Sequence, residues 1–321
     1  PGRAFWPITW RLGRSARKWH GSCSPRVKTV GKNVGASRHE QIPSIMKHYS
    51  FKWLIFTDLD GTLLDRRYDL KAAADAMDSL HQDGCLCVPA SSKTHAEMVE
   101  LSNFRKFPSP YIFENGSGLS WPSARAPELL GRSAEEISDL LDHIRGEHVF
   151  SFRLFRDISV VEIAGRTGLT EAGARKAKAR QASMPLIWTD TQESLERFRE
   201  ILGFIGLRVV SGGLFQTVLD KRCSKAAAML SIAEPFNRVA CRPELVACGD
   251  AENDLEMMAL ADAAVLFPNK AGQYISFDHP RLHFAPSAGH EQWLQSLQHV
   301  LVTQSNNDAL EQRRTEHTNV E

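Results

Sequence analysis

Short apolar runs alternate with amphipathic stretches in the part of the chain that follows residue 50. The apolar runs at 53–57, 85–90 and 111–113 have the length of buried strands, whereas 72–80 and 95–104 repeat apolar residues at helical spacing. Strands and helices that alternate in this way are typical of a parallel sheet. The pattern therefore predicts an α/β fold whose core is a Rossmann-like, doubly wound parallel sheet.

The alternation is lost between about 122 and 219. The elements predicted there are a strand pair at 150–155 and 159–163, helices at 170–181 and 194–202, and a hairpin with strands 209–210 and 215–219 around Ser211-Gly212-Gly213. A strand-and-helix module inserted into a doubly wound sheet is well placed to act as a lid. We therefore expect 122–219 to form an inserted α/β cap.

The strand-and-helix rhythm returns after the cap. It predicts helices at 224–233, 255–261 and 291–301 and strands at 245–248 and 263–267. The core is accordingly expected to comprise 51–121 and 220–300. The polar residues 304–321 predict a disordered tail.

The first 45 residues carry nine lysines and arginines and one acid, Glu40. Their composition is similar to that of an organellar transit peptide, but sustained amphipathic periodicity is missing, so we expect a basic, disordered leader. Met46 precedes the first strand, so translation of the functional protein could start at that residue.

The amino-acid composition limits the kinds of partner that the protein is expected to bind. A formal net charge of +1, with 42% hydrophobic and 24% charged residues, argues against a nucleic-acid partner. No uninterrupted apolar stretch approaches the roughly 20 residues that span a bilayer, so no membrane partner is expected. The six cysteines form no Cys-x-x-Cys pair, which favours reduced thiols in a cytoplasmic protein. Oligomeric state is left open.

Polar side chains follow three predicted strands, and one more lies at the start of a predicted helix. They are Asp58, Asp60, Ser91, Lys225, Asp250 and Asp254. Ligands of open α/β sheets collect outside the carboxyl ends of the strands, so we expect these groups to face one crevice.

These groups suit a magnesium-assisted phosphoryl transfer, because magnesium prefers a few carboxylates together with substrate oxygens and waters. Asp58 would attack phosphorus and form an aspartyl phosphate. Asp60 would protonate the departing alkoxide and later take a proton from water. Ser91 and Lys225 would hold the phosphoryl oxygens, and Asp250 would bind the metal.

Other interpretations of the acids are available. Asp-x-Asp-Gly could begin a calcium loop, but an EF-hand needs its glycine at position six and a closing glutamate. Asp250 and Asp254 could be ordinary acids at a helix start. Asp254 could also order metal-bound waters or support Lys225.

The motifs resemble those of the haloacid dehalogenase superfamily in order and spacing. They are Asp58-Leu59-Asp60-Gly61-Thr62, Ser91, Lys225 and Gly249-Asp250-(x)2-Asn253-Asp254. More narrowly, 56–65, 91–98 and Glu114-Asn115-Gly116 resemble mannosyl-3-phosphoglycerate phosphatases, and this resemblance extends over about 51–300. It implies an α/β cap, hydrolysis of mannosyl-3-phosphoglycerate to mannosylglycerate, and Mg²⁺ held by Asp58, Asp60, Asp250 and Asp254.

Position and resemblance together extend the expected phosphate- and substrate-binding set. Its further members are Ser92, Lys93, Glu114, Asn115, Arg180, Ser211, Gly212 and Asn253. Several have structural alternatives: a helix cap for Ser92, a solvated cation for Lys93, and simple turns for 114–116 and 211–213.

Two positions depart from the family pattern. Lys225-Ala226-Ala227-Ala228 lacks the glycine of the common Lys-Gly-x-Ala sequence, and Lys221 lies close by, although the spacing to Ala228 favours Lys225. In the cap, Met184 stands where the family stretch has an acid, which leaves contacts to the sugar open.

The sequence thus predicts a magnesium-dependent phosphatase for a small phosphorylated sugar. Glucosyl-3-phosphoglycerate and sucrose phosphate are alternative substrates, because they would need only different cap contacts. A phosphomutase is a further alternative. A non-catalytic sugar-phosphate sensor is disfavoured, since a pure binder needs no nucleophile beside a general acid.

Overall fold

The computed structural model describes residues 51–303, apart from 123, 125, 213 and 239–241. The predicted leader and tail lie outside the described residues. Within the described range, no helix is both long and apolar enough to cross a membrane.

Five parallel strands form the central sheet. In spatial order they are β12 (Leu282–Phe284), β11 (Ala263–Leu266), β10 (Glu244–Gly249), β1 (Trp53–Thr57) and β2 (Cys85–Pro89). β1 lies between β10 and β2, and Thr57 at its end is opposite Cys248 and Pro89. The carboxyl ends of these three strands therefore meet at one edge, as the predicted doubly wound core requires.

Helices cover both faces of this sheet. They are α1 (Leu70–Ser79), α2 (His95–Ser102), α7 (Lys225–Ala233), α8 (Glu252–Leu260) and α9 (290–303). Trp53 and Ile55 of β1 pack in the hydrophobic cluster of α1, α2 and α9, whereas Leu54 and Phe56 pack in that of α7 and α8. Because β1 is buried on both faces, its sequence is continuously apolar.

Short polar side chains set where the core helices begin. Asp69 caps α1, and Thr94 forms a capping box with Glu97 at the start of α2. Ser224 accepts a hydrogen bond from the backbone of α7, so that helix begins at Lys225. The cap thereby places the lysine in the first helical turn.

The strand at Tyr111–Phe113, β3, does not continue the parallel sheet as predicted. A single parallel bridge links it to Ala90 at the edge of the core sheet. It then pairs antiparallel with β4 (Gly118–Ser120), which pairs with β5 (Glu128–Leu129). The chain reverses at 114–116, and this reversal ends the parallel order.

The segment between β5 and α7 folds around a four-stranded antiparallel sheet. In spatial order its strands are β6 (Phe152–Leu154), β7 (Ser183–Trp188), β9 (Phe215–Asp220) and β8 (Leu207–Gly212), and its helices are α3 (Ala134–Glu147), α4 (Val160–Thr167), α5 (Glu171–Lys178) and α6 (Gln192–Phe204). These elements enclose a hydrophobic cluster of their own, centred on side chains such as Leu186 and Phe198. We call this segment the cap and the five-stranded unit the core.

One prediction inside the cap is wrong, and one cap strand is missed. Residues 159–163 begin α4 instead of forming a strand, because the Ser159 side chain caps a helix over the β-branched run. The strand that pairs with β6 is β7, which the sequence does not predict because Pro185 argues against a strand interior. The predicted hairpin is confirmed as β8 and β9.

Candidate functional site

Asp58 lies directly after β1, at the carboxyl edge of the central sheet. Its backbone N–H donates to the carbonyl of Cys248 at 2.9 Å, which extends the strand pairing by one residue. The residue is 7% exposed, and its Oδ1 accepts a hydrogen bond from Lys225 Nζ at 2.5 Å. The sheet thus fixes the backbone, while a cation from another element holds the carboxylate.

Lys225 donates hydrogen bonds to two buried aspartates. It is 1% exposed, and its Nζ also donates to Asp254 Oδ1 at 2.7 Å. The other Asp254 oxygen accepts the N–H groups of Asp250 and Ala251, each at 3.2 Å. Both oxygens of Asp254 therefore have protein donors, which favours a supporting role for this acid over direct metal binding.

The geometry separates the two candidate lysines. Lys221 is exposed after β9, and its backbone N–H donates to the Gly206 carbonyl in the cap. Lys225 is the one that contacts Asp58. The structure therefore supports Lys225 as the cation of this site.

Asp250 packs closely against the loop that carries Asp58. Gly61 in that loop has φ +97°, and a Cβ at this position would lie 2.5 Å from Asp250 Oδ2. Glycine suits both the left-handed backbone and the close approach. As a result, ligand oxygens of Asp58, Asp250 and Asp254 lie within 4.8 Å of one another.

The donor set of this cluster fits a divalent cation such as magnesium, which takes carboxylate oxygens and keeps several waters. Burial is the main cause that raises the pKa of Asp58 to about 8 and that of Asp250 to about 6, and the Asp254 carboxylate raises both further. The ammonium of Lys225 acts in the opposite direction. It supplies one positive charge beside three carboxyl groups, so a divalent ion would reduce the repulsion among them when they ionise.

Asp60 is directed to a different cation. Its Oδ2 lies 2.7 Å from Lys93 Nζ, and the Lys93 ammonium also lies over the Tyr68 ring at 5.0 Å from the centroid. The Asp60 side chain is 44% exposed and does not belong to the three-carboxylate cluster. The metal-ligand role predicted for its side chain is therefore not supported, whereas its exposure suits an acid/base role.

Ser91 lies in a tightly bonded loop after β2. Its N–H donates to the Ile112 carbonyl and its own carbonyl accepts the Asn115 N–H, both at 3.0 Å. Its hydroxyl oxygen accepts the Lys93 N–H at 3.2 Å, a bond that does not use the hydroxyl proton. Asn115 Oδ1 accepts a hydrogen bond from Asn253 Nδ2 at 3.1 Å, which joins two strand ends.

Glu114 does not face a substrate site. It is fully buried; its Oε1 accepts the Gln181 N–H at 2.8 Å, and its Oε2 accepts the Ala182 N–H at 3.0 Å and the Ser183 hydroxyl at 2.6 Å. All three partners belong to the cap. The structure therefore does not support the predicted substrate contact of Glu114, because both carboxylate oxygens accept hydrogen bonds from the cap.

Arg180 lies at the same boundary between core and cap. Its Nη1 donates to the Ser92 carbonyl at 2.9 Å, so both predicted residues are brought together there. Arg180 also lines a cavity of about 240 Å³ in the cap, together with Glu135, Arg156, Lys178 and Met184. Four charged side chains therefore line this cavity, and one of them, Arg180, contacts the residue that follows Ser91.

Ser211 and Gly212 lie elsewhere, on the exposed end of β8. The Ser211 hydroxyl accepts a hydrogen bond from Arg199 at 3.0 Å and donates to Gln216 at 2.9 Å. These contacts lie within the cap. The structure therefore supports the hairpin interpretation of these residues and does not bring them to the aspartates.

One contact behind the site was missed by sequence reasoning. Trp293 of α9 is fully buried and donates from Nε1 to the Thr57 hydroxyl at 2.8 Å; that hydroxyl donates to the Asp58 carbonyl at 2.9 Å. The apolar spacing of 291–301 indicates a packed helix, but no local signal pairs its tryptophan with a threonine far away in the chain. The contact fixes the backbone on which Asp58 is carried.

A family model described as haloacid dehalogenase-like hydrolase matches residues 55–180 and 178–274, which is more than half of the chain. The matched range contains Asp58, Ser91, Lys225, Asp250 and Asp254. The match thus spans the whole cluster and the cap.

Solved structures share this fold. A protein from Thermoplasma acidophilum is 18% identical, with a TM-score of 0.58 over 78% of this chain and 99% of that one. A protein from Bacteroides thetaiotaomicron, described among phosphatases of the haloalkanoate (HAD) enzyme superfamily, has the same identity and TM-score over 78% and 96%. The sucrose-phosphatase of Synechocystis, solved with sucrose and phosphate, is 16% identical, with a TM-score of 0.52 over 78% and 98%.

Proposed function

The chain belongs to the haloacid dehalogenase-like hydrolases, and we propose that it is a magnesium-dependent phosphatase that acts on a small sugar phosphate. The observation that carries the proposal is the contact of buried Lys225 with Asp58 and Asp254 beside Asp250. A buried cation among acids at strand ends is costly for stability, so such clusters are typical of functional sites. The proposed partner is therefore a small anion, not a nucleic acid or a membrane.

In the proposed reaction, Asp58 is the nucleophile. Its carboxylate attacks phosphorus, the bond from phosphorus to the oxygen of the leaving alcohol breaks, and an aspartyl phosphate forms. Asp60 donates a proton to the departing oxygen and then accepts one from the water that hydrolyses the intermediate. The exposure of the Asp60 side chain suits a group that must exchange protons with solvent.

Two donors would stabilise the phosphoryl oxygens as charge moves onto them. Lys225 supplies a fixed ammonium beside Asp58, and Ser91 supplies a hydroxyl from a bonded loop. Asp58 and Asp250 would hold Mg²⁺, with Asp254 supporting Lys225 behind them. The metal would supply positive charge to the phosphoryl oxygens and neutralise the carboxylates.

The substrate that we favour is mannosyl-3-phosphoglycerate, giving mannosylglycerate and phosphate. The sequences at 56–65, 91–98 and 114–116 support this choice. The cap cavity beside Arg180 is a suitable place for the second anionic group of such a substrate. Sucrose phosphate and glucosyl-3-phosphoglycerate are the competing substrates, since the chemistry in the core would be the same, and a phosphomutase would retain the same nucleophile.

We further propose that the core, 51–121 and 220–300, carries the reaction and that the cap, 122–219, selects the substrate. A cytoplasmic location is part of the proposal, because Cys85, Cys87, Cys223 and Cys248 are buried free thiols.

Phosphate release from a panel of sugar and glyceryl phosphates, with and without magnesium, tests the proposed function. We expect the fastest release from mannosyl-3-phosphoglycerate and its loss when the metal is chelated. Asp58→Asn is the matched control, because it keeps the side-chain shape. A wild-type protein that releases no phosphate from any member of the panel would contradict the phosphatase proposal and favour a sensor.

A further inference from the structure

The turn at 114–116 connects the candidate active site to the cap. We propose that Glu114 is a positioning residue. It holds this turn, and with it the loops of Ser91 and Lys225, in a fixed position relative to the cap. The inference rests on the proposed phosphatase function, and it concerns a residue that contacts no reacting atom.

The backbone of the turn is unusual. Glu114, Asn115 and Gly116 have φ values of +49°, +58° and +87°, so three consecutive residues are in the left-handed region. Glu114 carries a side chain for which this region is unfavourable, whereas asparagine and glycine adopt it more readily. A turn of this kind persists only when surrounding contacts determine it.

Those contacts reach two loops of the candidate site. Glu114 N–H donates to the Lys93 carbonyl at 2.8 Å, and Asn115 N–H donates to the Ser91 carbonyl at 3.0 Å. Gly116 packs against the start of α7: a Cβ on it would lie 2.0 Å from the Ser224 carbonyl oxygen and 2.6 Å from the Lys225 nitrogen. A displacement of the turn therefore moves the phosphate-binding candidates.

A side-chain hydrogen bond connects the turn to a third segment of the candidate site. Asn115 Oδ1 accepts the hydrogen bond from Asn253, which lies in the first turn of α8 between Asp250 and Asp254. One three-residue turn is consequently in contact with the loop after β2, the start of α7 and the start of α8. These are the segments that must keep a fixed geometry around the phosphoryl group.

The Glu114 carboxylate is the link from this turn to the cap. Its three partners are neutral donors of the segment 181–183, and the residue is fully buried. A buried carboxylate is stable only when its oxygens are satisfied, so separation of this segment from the core would leave the charge without partners. The contact thus opposes displacement of the cap at its junction with the site.

The experiment compares Glu114→Gln, Glu114→Ala and Ser183→Ala with the wild type on two substrates. One is the best sugar phosphate of the panel, and the other is a small aryl phosphate that needs no cap contact. Glutamine keeps the size but presents an NH₂ group to N–H donors, alanine removes the contact, and Ser183→Ala removes one donor of three. We expect kcat to fall by about 10- to 100-fold in the Glu114 variants on both substrates, and by less in Ser183→Ala.

Glu100→Gln is the matched control. Glu100 forms another contact between core and cap, an exposed ion pair with Lys176, but it lies on α2, away from the turn. We expect wild-type kcat on both substrates. A Glu114 variant that changes only KM for the sugar phosphate, with normal kcat on the aryl phosphate, would show that Glu114 merely anchors the cap and would overturn the inference.

Amide hydrogen exchange separates this inference from the proposed function. In Glu114→Gln we expect faster exchange both at 181–183 and in the site loops 91–93 and 224–226, even if no substrate is turned over. Faster exchange confined to 181–183 would contradict the coupling. If the Glu114 variants do not fold, the same two readouts on Ser183→Ala decide the question.

Discussion

The core and the cap place their charged side chains differently. In the core, Lys225, Asp58 and Asp254 interact in the interior, with side chains that are 0%, 10% and 1% exposed. In the cap, ion pairs such as that of Arg153 with Glu162 lie on the surface, with side chains that are 47% and 29% exposed. Surface pairs contribute little to stability, whereas a buried cluster is retained for a purpose beyond stability.

This difference suggests a division of labour. The core would supply chemistry that is the same for every substrate, and the cap would supply contacts that differ between substrates. Changes in the core should then affect all phosphate esters equally, whereas changes in the cap should affect esters according to the group that leaves. A pair of substrates that differ in the leaving group can test this division.

The largest effect is expected for Asp58→Asn. The amide is a far poorer nucleophile, so turnover should fall by about 10⁴-fold or more on a sugar phosphate and on an aryl phosphate alike. Steady-state phosphate release measures the loss, and circular dichroism checks that the fold is retained. Turnover near the wild-type rate would refute Asp58 as the nucleophile.

Lys225→Ala should be the next most damaging change. Loss of the ammonium leaves Asp58 and Asp254 without their shared cation and removes a donor to the phosphoryl group, so we expect kcat to fall by roughly 10²–10³-fold on both substrates. Lys221→Ala, at an exposed position, should stay within about twofold, since surface substitutions have small effects. The opposite order would show that the wrong lysine has been identified.

Metal binding should weaken as the pH falls. A ligand must lose its proton to bind a cation, and burial raises the pKa of Asp250 to about 6, so affinity should decline as pH drops through this value. In the metal-free protein the raised pKa has the opposite effect on stability: the folded state binds the proton more tightly than the unfolded state, so stability falls as pH rises through the same range.

Thermal unfolding with and without magnesium measures this dependence. The higher affinity makes the metal-induced rise in Tm larger at about pH 8 than at about pH 5. An equal rise at both values would contradict a site built from Asp58 and Asp250. Asp262, a surface acid bonded to Arg242, offers the control Asp262→Asn, which should leave the metal response unchanged.

Arg180→Ala tests the cap side of the comparison. Loss of a charged hydrogen-bond donor beside the cavity should raise KM for mannosyl-3-phosphoglycerate by about 10-fold and leave the aryl phosphate within about twofold. Arg153→Ala, which alters an exposed cap ion pair, is the control and should change neither value. Equal losses of activity on the two substrates would contradict separate roles of the core in the reaction and of the cap in substrate selection.

The smallest effect is expected for Trp293→Phe. The substitution keeps the ring in the core but leaves the Thr57 hydroxyl without its donor, so we expect about 1–2 kcal/mol lower unfolding free energy. Because the Asp58 backbone is less firmly held, kcat should fall several-fold on both substrates with KM unchanged. Chemical denaturation measures the change in unfolding free energy, and steady-state kinetics measure kcat and KM. An unchanged kcat would show that this contact affects only stability.

Much of the core follows from local sequence. β1, β2 and β10 are short apolar runs that end in Asp58, Ser91 and Asp250, and alternation with helices is enough to place their ends at one edge. The cap is less predictable. α4 begins with β-branched residues that suggest a strand, and β7 contains a proline, so local propensity and final structure disagree in both elements.

The sequence alone determined the types and order of the reactive groups, because acids at strand ends and a capped lysine are encoded within a few residues of each element. The tertiary structure decided which of them meet: Lys225 with Asp58, Asp60 with Lys93, and Glu114 with the cap. These contacts join residues up to 167 positions apart. No local pattern specifies them, since they arise from how helices pack on the sheet and how the cap lies on the core.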